Sequence, residues 1–155
     1  MTKTDTHEIF LARVFDAPPE LVYRTFVDPD QLCEWYGPAG FSVPCETVQI
    51  DARAGGFERF VIVSDDDPTF RNRVELTFSE VIENELLAGH QEVEGVPGSR
   101  GSTRLHLRLE FHAEPGNATR LQLRQGPLTE EMGIQSVAGW ESSFANLDSL
   151  LRRSR

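Results

Sequence analysis

The chain has 155 residues, a length at which one domain buries roughly 70% of its unfolded surface and builds its own core. Hydrophobic residues make up 39% and charged residues 26%, with ten Phe, which excludes a compositionally disordered chain. Formal net charge is -10, from 25 acidic against 15 basic side chains, so neither a nucleic-acid backbone nor an anionic membrane surface is expected as a partner. No apolar run approaches the ~20 residues of a membrane span, and the polar stretch from Met1 to Glu8 has no signal-peptide core. A cytoplasmic protein is expected, with residues 1–5 as a flexible tail. Cys33 and Cys45 are too few for a disulfide scaffold and have no CxxC spacing, so both are read as reduced thiols.

Thr6 to Phe15 alternates loosely, Phe10, Ala12 and Val14 against Ile9 and Leu11, and reads as a strand. Pro18 and Pro19 suit a helix's first turn, which needs no N–H, and Leu21, Val22, Phe26 and Val27 follow at helical spacing. Asp28, Pro29 and Gln31 form a second helix start, with Asp28 as N-cap, for a short helix running towards Trp35. Gly37, Pro38 and Gly40 break that helix, and Phe41 to Ile50 predicts strand two. Gly55-Gly56 marks the turn into strand three, Phe57 to Val63, which ends at the acidic loop Asp65, Asp66, Asp67, Pro68. Val74, Leu76 and Phe78 alternate with Glu75 and Thr77, and Leu86 to Val93 gives a less regular strand before a Gly-rich loop from Gly95 to Gly101. Leu105, Leu107, Leu109 and Phe111 alternate with His106, Arg108, Glu110 and His112. Leu121 and Leu123 repeat the pattern after the Pro115-Gly116-Asn117 turn, which makes an antiparallel hairpin with one wet face. From Thr129, a candidate N-cap, the period turns helical, with Met132, Ser136, Gly139, Trp140, Ser143, Phe144, Leu147, Leu150 and Leu151 on one stripe. About six strands, two short helices after the first and a long closing helix make one α+β domain over 1–155, whose curved sheet must bury its apolar face against that helix.

The segments Arg13-Val14-Phe15-Asp16-Ala17-Pro18, Asp28-Pro29 with Trp35-Tyr36-Gly37-Pro38, Asp51-Ala52-Arg53-Ala54-Gly55-Gly56, Asn72-Arg73-Val74, Thr119-Arg120-Leu121 and Gly139-Trp140 stand in an order and spacing that resembles the START-like SRPBCC superfamily over nearly the whole chain. Within it, the sequence is similar to the branch of heat shock protein 90 ATPase activator homologues, known mostly as small stand-alone bacterial proteins. The resemblance implies a helix-grip fold, with an apolar cavity able to open between the curved sheet and the closing helix. It leaves function open, because the superfamily includes lipid carriers, hormone receptors and polyketide cyclases.

Walls of Phe, Leu and Val suit a small-molecule site. Trp35, Trp140 and Phe144 belong near it, although a Trp on a buried helix stripe equally suits plain core. Gly139 costs about 1 kcal/mol inside a helix, which predicts that a strand or a ligand approaches its backbone closely. Phe60 and Ile62 of strand three, with Val74 and Leu76 of the next, take inward positions. Glu58 then falls where relatives commonly carry an aromatic ring. Either it faces inward, with a raised pKa or an inward Arg partner, or a bulge at Gly55-Gly56 turns Phe57 inward and leaves Glu58 wet. His90 lies on a strand that faces the cavity in relatives and is a candidate ligand donor or base. His106 and His112, about 20 Å apart at ~3.3 Å per residue, cannot chelate together, and neither metal nor cofactor is expected. No nucleophile elbow, phosphate loop or dinucleotide fingerprint is present, so covalent catalysis is not expected. Three functions compete: a binder of a small hydrophobic or aromatic molecule, an enzyme of cyclase or dehydratase type working in the same cavity through Glu58 or His90, and a co-chaperone of heat shock protein 90. The last is weakened because the eukaryotic activator carries a separate N-terminal domain. A monomer or weak homodimer is expected.

Overall fold

The period of two in the strand segments and the helical period after Thr129 become one sheet and one long helix in the computed structural model of the protein, which describes residues 6–67, 69–94 and 102–153, without the side chains at 93, 94, 102 and 103. The expected tail over 1–5 and the Gly-rich loop over 95–101 lie outside the described residues. In chain order the elements are β1 (Thr6–Phe15), α1 (Pro19–Val27), α2 (Pro29–Trp35), β2 (Phe41–Ser42), a 3-10 turn (Cys45–Thr47), β3 (Gln49–Asp51), β4 (Phe57–Ser64), β5 (Arg71–Ile82), β6 (Leu86–Glu94), β7 (Ser102–Glu114), β8 (Ala118–Thr129) and α3 (Glu130–Arg153). The strands make an antiparallel sheet in the order β1-β8-β7-β6-β5-β4-β2, with β3 also paired to β4. This is the α+β helix-grip architecture, with α3 lying across a curved sheet and drawing closest to β1, β8, α1 and α2.

The sheet has eight strands rather than about six. Phe41 to Ile50 is not one strand, because Pro44 has no N–H to give to a ladder and the chain turns there. Thr47 pins the turn: its hydroxyl donates to the Pro44 carbonyl at 2.7 Å and accepts the Val61 N–H at 3.2 Å. The two cysteines correct the expectation of reduced thiols, since Cys33 of α2 and Cys45 of the turn form a disulfide with their Cα atoms 5.1 Å apart. They stand 12 positions apart in sequence, and only the return of the chain from α2 to the sheet edge brings them within bridging range.

Local chemistry sets the element ends. Asp28 caps α2 by accepting the Asp30 N–H at 3.0 Å and the Gln31 side-chain amide at 3.1 Å, and Thr129 caps α3 by accepting the Met132 N–H at 3.2 Å. At the β3–β4 turn, Gly55 has φ +84°, and a Cβ at Gly56 would collide with the Asp51 carbonyl. Gly139, expected to mark a close approach, has open space where a Cβ would point. The tight position on α3 is Gly133, against the ring of His7 and the side chain of Ile9.

Phe144, 2% exposed, centres the contact between α3 and the rest. Its ring lies edge-on to Phe15 at 5.7 Å and tilted against Trp140 at 5.6 Å and Trp35 at 6.4 Å. Trp35 is itself 1% exposed and donates its indole N–H to the Thr25 carbonyl at 2.8 Å, so it belongs to the core rather than to a cavity rim. Phe144→Ala is expected to cost about 3–5 kcal/mol, measured as a lower urea midpoint at unchanged m-value; a loss well below that range would mean the ring borders empty space. Replacing both cysteines by Ser is expected to lower stability by up to about 3 kcal/mol, the loop-closure value for a short bridged loop. A thiol reagent that labels both cysteines in unreduced, denatured protein would sink the disulfide.

Candidate functional site

Strand register decides which side chains share the concave face. Glu58 and Phe60 of β4 stand opposite Leu76 and Val74 of β5, Leu76 stands opposite Gln91 of β6, and Gln91 opposite Leu105 of β7. Residues paired across a ladder point to the same side. Ile50, Glu58, Leu76, Gln91 and Leu105 therefore form one row across the sheet's inner face. Phe60, Val74 and Leu76 are buried walls, and Ile62 is half-buried at the end of the β4 set.

Glu58 faces inward, and the bulge that would have left it wet is absent. The β4–β5 ladder runs unbroken from Phe57 to Val63, and Phe57 lies on the outer face, its ring 4.0 Å from the Arg59 guanidinium. No inward Arg meets Glu58 either. Among the described residues nothing donates a hydrogen bond to its carboxyl, and burial alone pushes its pKa up to about 8. The side chain is half-buried, and no fully enclosed polar side-chain atom among the described residues lacks a partner. The carboxyl oxygens accordingly still border open space.

Over Glu58 sits Tyr36, which sequence reasoning passed over in favour of its neighbour Trp35. The Tyr36 ring meets Phe60 at 4.7 Å and Trp140 at 5.6 Å, both near perpendicular. Its hydroxyl pKa is raised, first by burial and then by the negative charge of Glu58. The signal lay in the Trp35-Tyr36-Gly37-Pro38 segment: the helix ends at Trp35, and the next residue, no longer helical, sets its ring against Phe60 and Trp140.

A second group of polar side chains orients Trp140. Gln125 of β8, 4% exposed, accepts the Trp140 indole N–H at 3.1 Å and the Ser136 hydroxyl at 3.1 Å on its Oε1, and donates from Nε2 to Oε1 of Gln91 at 2.6 Å. Gln91 is also 4% exposed. Its own amide N–H groups bond no described residue and, by the argument applied to Glu58, border open space. Gln125 was accessible from the sequence as the inward continuation of Leu121 and Leu123. Gln91 was not, because Leu86 and Leu87 are both apolar and leave the parity of β6 ambiguous.

That parity also corrects His90. It is exposed on the outer face, opposite Thr77 and His106, and Gln91 takes the inward place assigned to it. His106 contacts Glu8 at 2.6 Å and His112 contacts Glu110 at 3.0 Å on the same wet face. Of the expected site residues, the structure sets Glu58, Phe60, Val74 and Leu76 on the inner face of the sheet, with Ile62 farther along β4, and Trp140 on α3 against Tyr36. It sets Trp35 and Phe144 behind them in the core and His90 outside. No group of His, Cys, Asp and Glu among the described residues can hold a metal ion, and no described helix is long and apolar enough to cross a membrane.

A family model described as Activator of Hsp90 ATPase homolog 1-like protein matches residues 16–152. The crystal structure of a protein from Chromobacterium violaceum is similar at a TM-score of 0.80 and 26% identity, over 92% of this chain and 95% of that one. That of the AHSA1 protein from Silicibacter pomeroyi is similar at 0.81 and 25% identity, over 96% and 100%. A protein from Nitrosomonas europaea, 20% identical with a TM-score of 0.75 over 95% of each chain, shares the fold. No functionally curated protein matches the sequence. With a match running from Asp16, just past the end of β1, to the last turn of α3, and with the same helix grip in its structural relatives, the chain belongs to the family of Activator of Hsp90 ATPase homolog 1-like proteins.

Proposed function

We propose that the protein binds a small hydrophobic or aromatic molecule in the cleft between the sheet and α3, walled by Tyr36, Phe60, Leu76 and Trp140, with Glu58 and Gln91 as its polar groups. One observation carries this reading. In a largely apolar wall, the Glu58 carboxyl and the Gln91 amide N–H groups face open space and pair with nothing in the described residues, and burial disfavours the charged carboxylate, so a ligand with complementary groups has polar partners ready to meet it. A second reading, an enzyme of cyclase or dehydratase type, is favoured by the protonated state in which burial holds Glu58 at neutral pH, the form a general acid needs. It requires a turnover that Glu58→Gln abolishes while ligand binding persists.

An apolar, environment-sensitive dye is expected to bind the full chain with a Kd on the order of micromolar and to change tryptophan emission. Trp140→Phe should remove most of that change, since Trp35 is sealed in the core. An undiminished signal from that variant, or no dye binding at all, overturns the cleft as the binding place.

The Glu58 carboxyl also makes stability depend on pH. Its folded pKa stands above the ordinary carboxylate value, so the folded state holds the proton more tightly than the unfolded one. The stability this provides is complete below about pH 4.5 and is lost as pH rises through about 8. Glu58→Gln has no charge to develop. Relative to wild type it is expected to gain stability steadily from about pH 5 to pH 8, by on the order of a few kcal/mol in total. A difference between the two unfolding curves that does not change with pH would contradict an inward, desolvated Glu58.

A further inference from the structure

We propose that the occupant of this cleft is an organic cation, a protonated amine carried on a flat apolar body. The inference rests on the cleft being a binding site and goes beyond it by naming the charge and shape of the ligand.

The first ground is the charge balance around Glu58. The β5 and β7 side chains next to it on the inner face, Val74, Leu76 and Leu105, are apolar, with the neutral Asn72 farther along β5 opposite Ile62; β6 and β8 add the neutral amides Gln91 and Gln125. The end of α2 adds Tyr36 and α3 adds Trp140, both uncharged. The strand arginine that shares the inward parity, Arg13, is on β1 at the far side of the sheet, where its guanidinium lies over the Phe15 ring. Among the described residues, then, the cleft holds one carboxyl group and no cation to meet it. An inward carboxyl without a charge partner in the chain loses its proton readily only when a cation from outside meets it.

The second ground is the set of rings. Tyr36, whose hydroxyl feels the charge of Glu58, meets Phe60 and Trp140 at interplanar angles of 67° and 83°, so the ring beside the carboxyl is backed by rings in different planes, with Phe60 sealed behind it. An ammonium group is attracted by the electron-rich faces of such rings as well as by a carboxylate, and both attractions grow as water is excluded. A flat apolar body fits the remaining walls of Leu76 and Val74. The third ground is Gln91. It lies two strand spacings from Glu58 in the same row, about 10 Å at ~4.8 Å per spacing, and its free N–H groups suit an acceptor atom at the opposite end of the ligand. The net charge of -10 further draws cations rather than anions towards the protein.

Proton balance gives the proposal a signature of its own. Glu58 is protonated in the empty protein at neutral pH. Pairing it with an ammonium ion releases that proton to solvent, and no bond is made or broken other than this O–H. A neutral ligand of the same shape leaves the proton in place.

The experiment is isothermal titration calorimetry of the full chain at pH 7, in two buffers of different ionisation enthalpy, with three probes that share one body: 1-naphthylmethylamine, 1-naphthalenemethanol and 1-naphthoic acid. The expected result is that the amine binds at least about tenfold more tightly than the alcohol, that the acid binds worst, and that close to one proton is released for the amine alone. Glu58→Gln is expected to bring amine and alcohol to the same affinity. If the alcohol or the acid binds as tightly as the amine, or if the amine releases no proton, the cationic ligand is wrong while the binding cleft stands. If none of the three binds, the cleft reading falls and takes this proposal with it. Should Glu58→Gln fail to fold, the three-probe comparison on wild type still decides.

Discussion

A sheet that is apolar on one face only cannot stand in water unless something covers that face. In this chain Leu105, Leu107, Leu109 and Phe111 of β7, with Leu121 and Leu123 of β8, build such a face by strict alternation. The cover is α3, whose Phe144, Leu147 and Leu151 are buried against it and whose Thr129 cap starts the helix directly from the end of β8. Everything else follows from that closure. The two short helices fit where Phe26 and Trp35 can extend the same core, and Thr119 locks the approach to α1 by donating its hydroxyl to the Ala17 carbonyl at 2.7 Å. The wet face carries most of the strand charges and, with them, His90, His106 and His112.

The closure is uneven, and the candidate site lies where the helix stands farther from the sheet. α3 draws closest to β1 and β8, so the inner face of β4 to β6 is covered by side chains rather than by helix backbone. Tyr36 and Trp140 do much of this, and Trp140 is held at its angle by the Gln125 carbonyl rather than by packing alone. A buried amide with three hydrogen bonds, as in Gln125, orients its neighbours because moving any of them leaves a polar atom unpaired. Glu58 lies outside this satisfied network. Folding energetics by themselves would favour an apolar residue there, and an unpaired carboxyl at an inward position is where local rules give way to function.

The disulfide belongs to the same corner of the molecule. Cys33 is three residues before Tyr36, and Cys45 leads through the 3-10 turn into β3, whose Ile50 stands opposite Glu58. The bridge therefore ties the end of α2, next to Tyr36, to the stretch of chain that leads into β3 beside Glu58. It adds restraint where the sheet has its shortest strands, β2 and β3, and where the ladder is weakest.

Periodicity, caps and turn residues in the amino-acid sequence were sufficient for the α+β class, the helix grip, the long amphipathic α3 and the two faces of the β7–β8 hairpin. Each of these depends on neighbours close along the chain, and the alternation there is unambiguous. The site was legible only in part. Phe60, Val74, Leu76 and Trp140 could be assigned inward from pattern, whereas Glu58 had two admissible orientations, and Gln91 was hidden behind His90 because a one-residue ambiguity in β6 exchanges the two faces of a strand. Tyr36 was overlooked because a residue just past a helix end has no period to place it. The Cys33–Cys45 pair, the division of strand two and the open backbone at Gly139 depend on which segments meet in space. Only tertiary structure decides these, because ladder register and the return path of the chain are set by the packing of the whole sheet against α3 and not by any local run of residues.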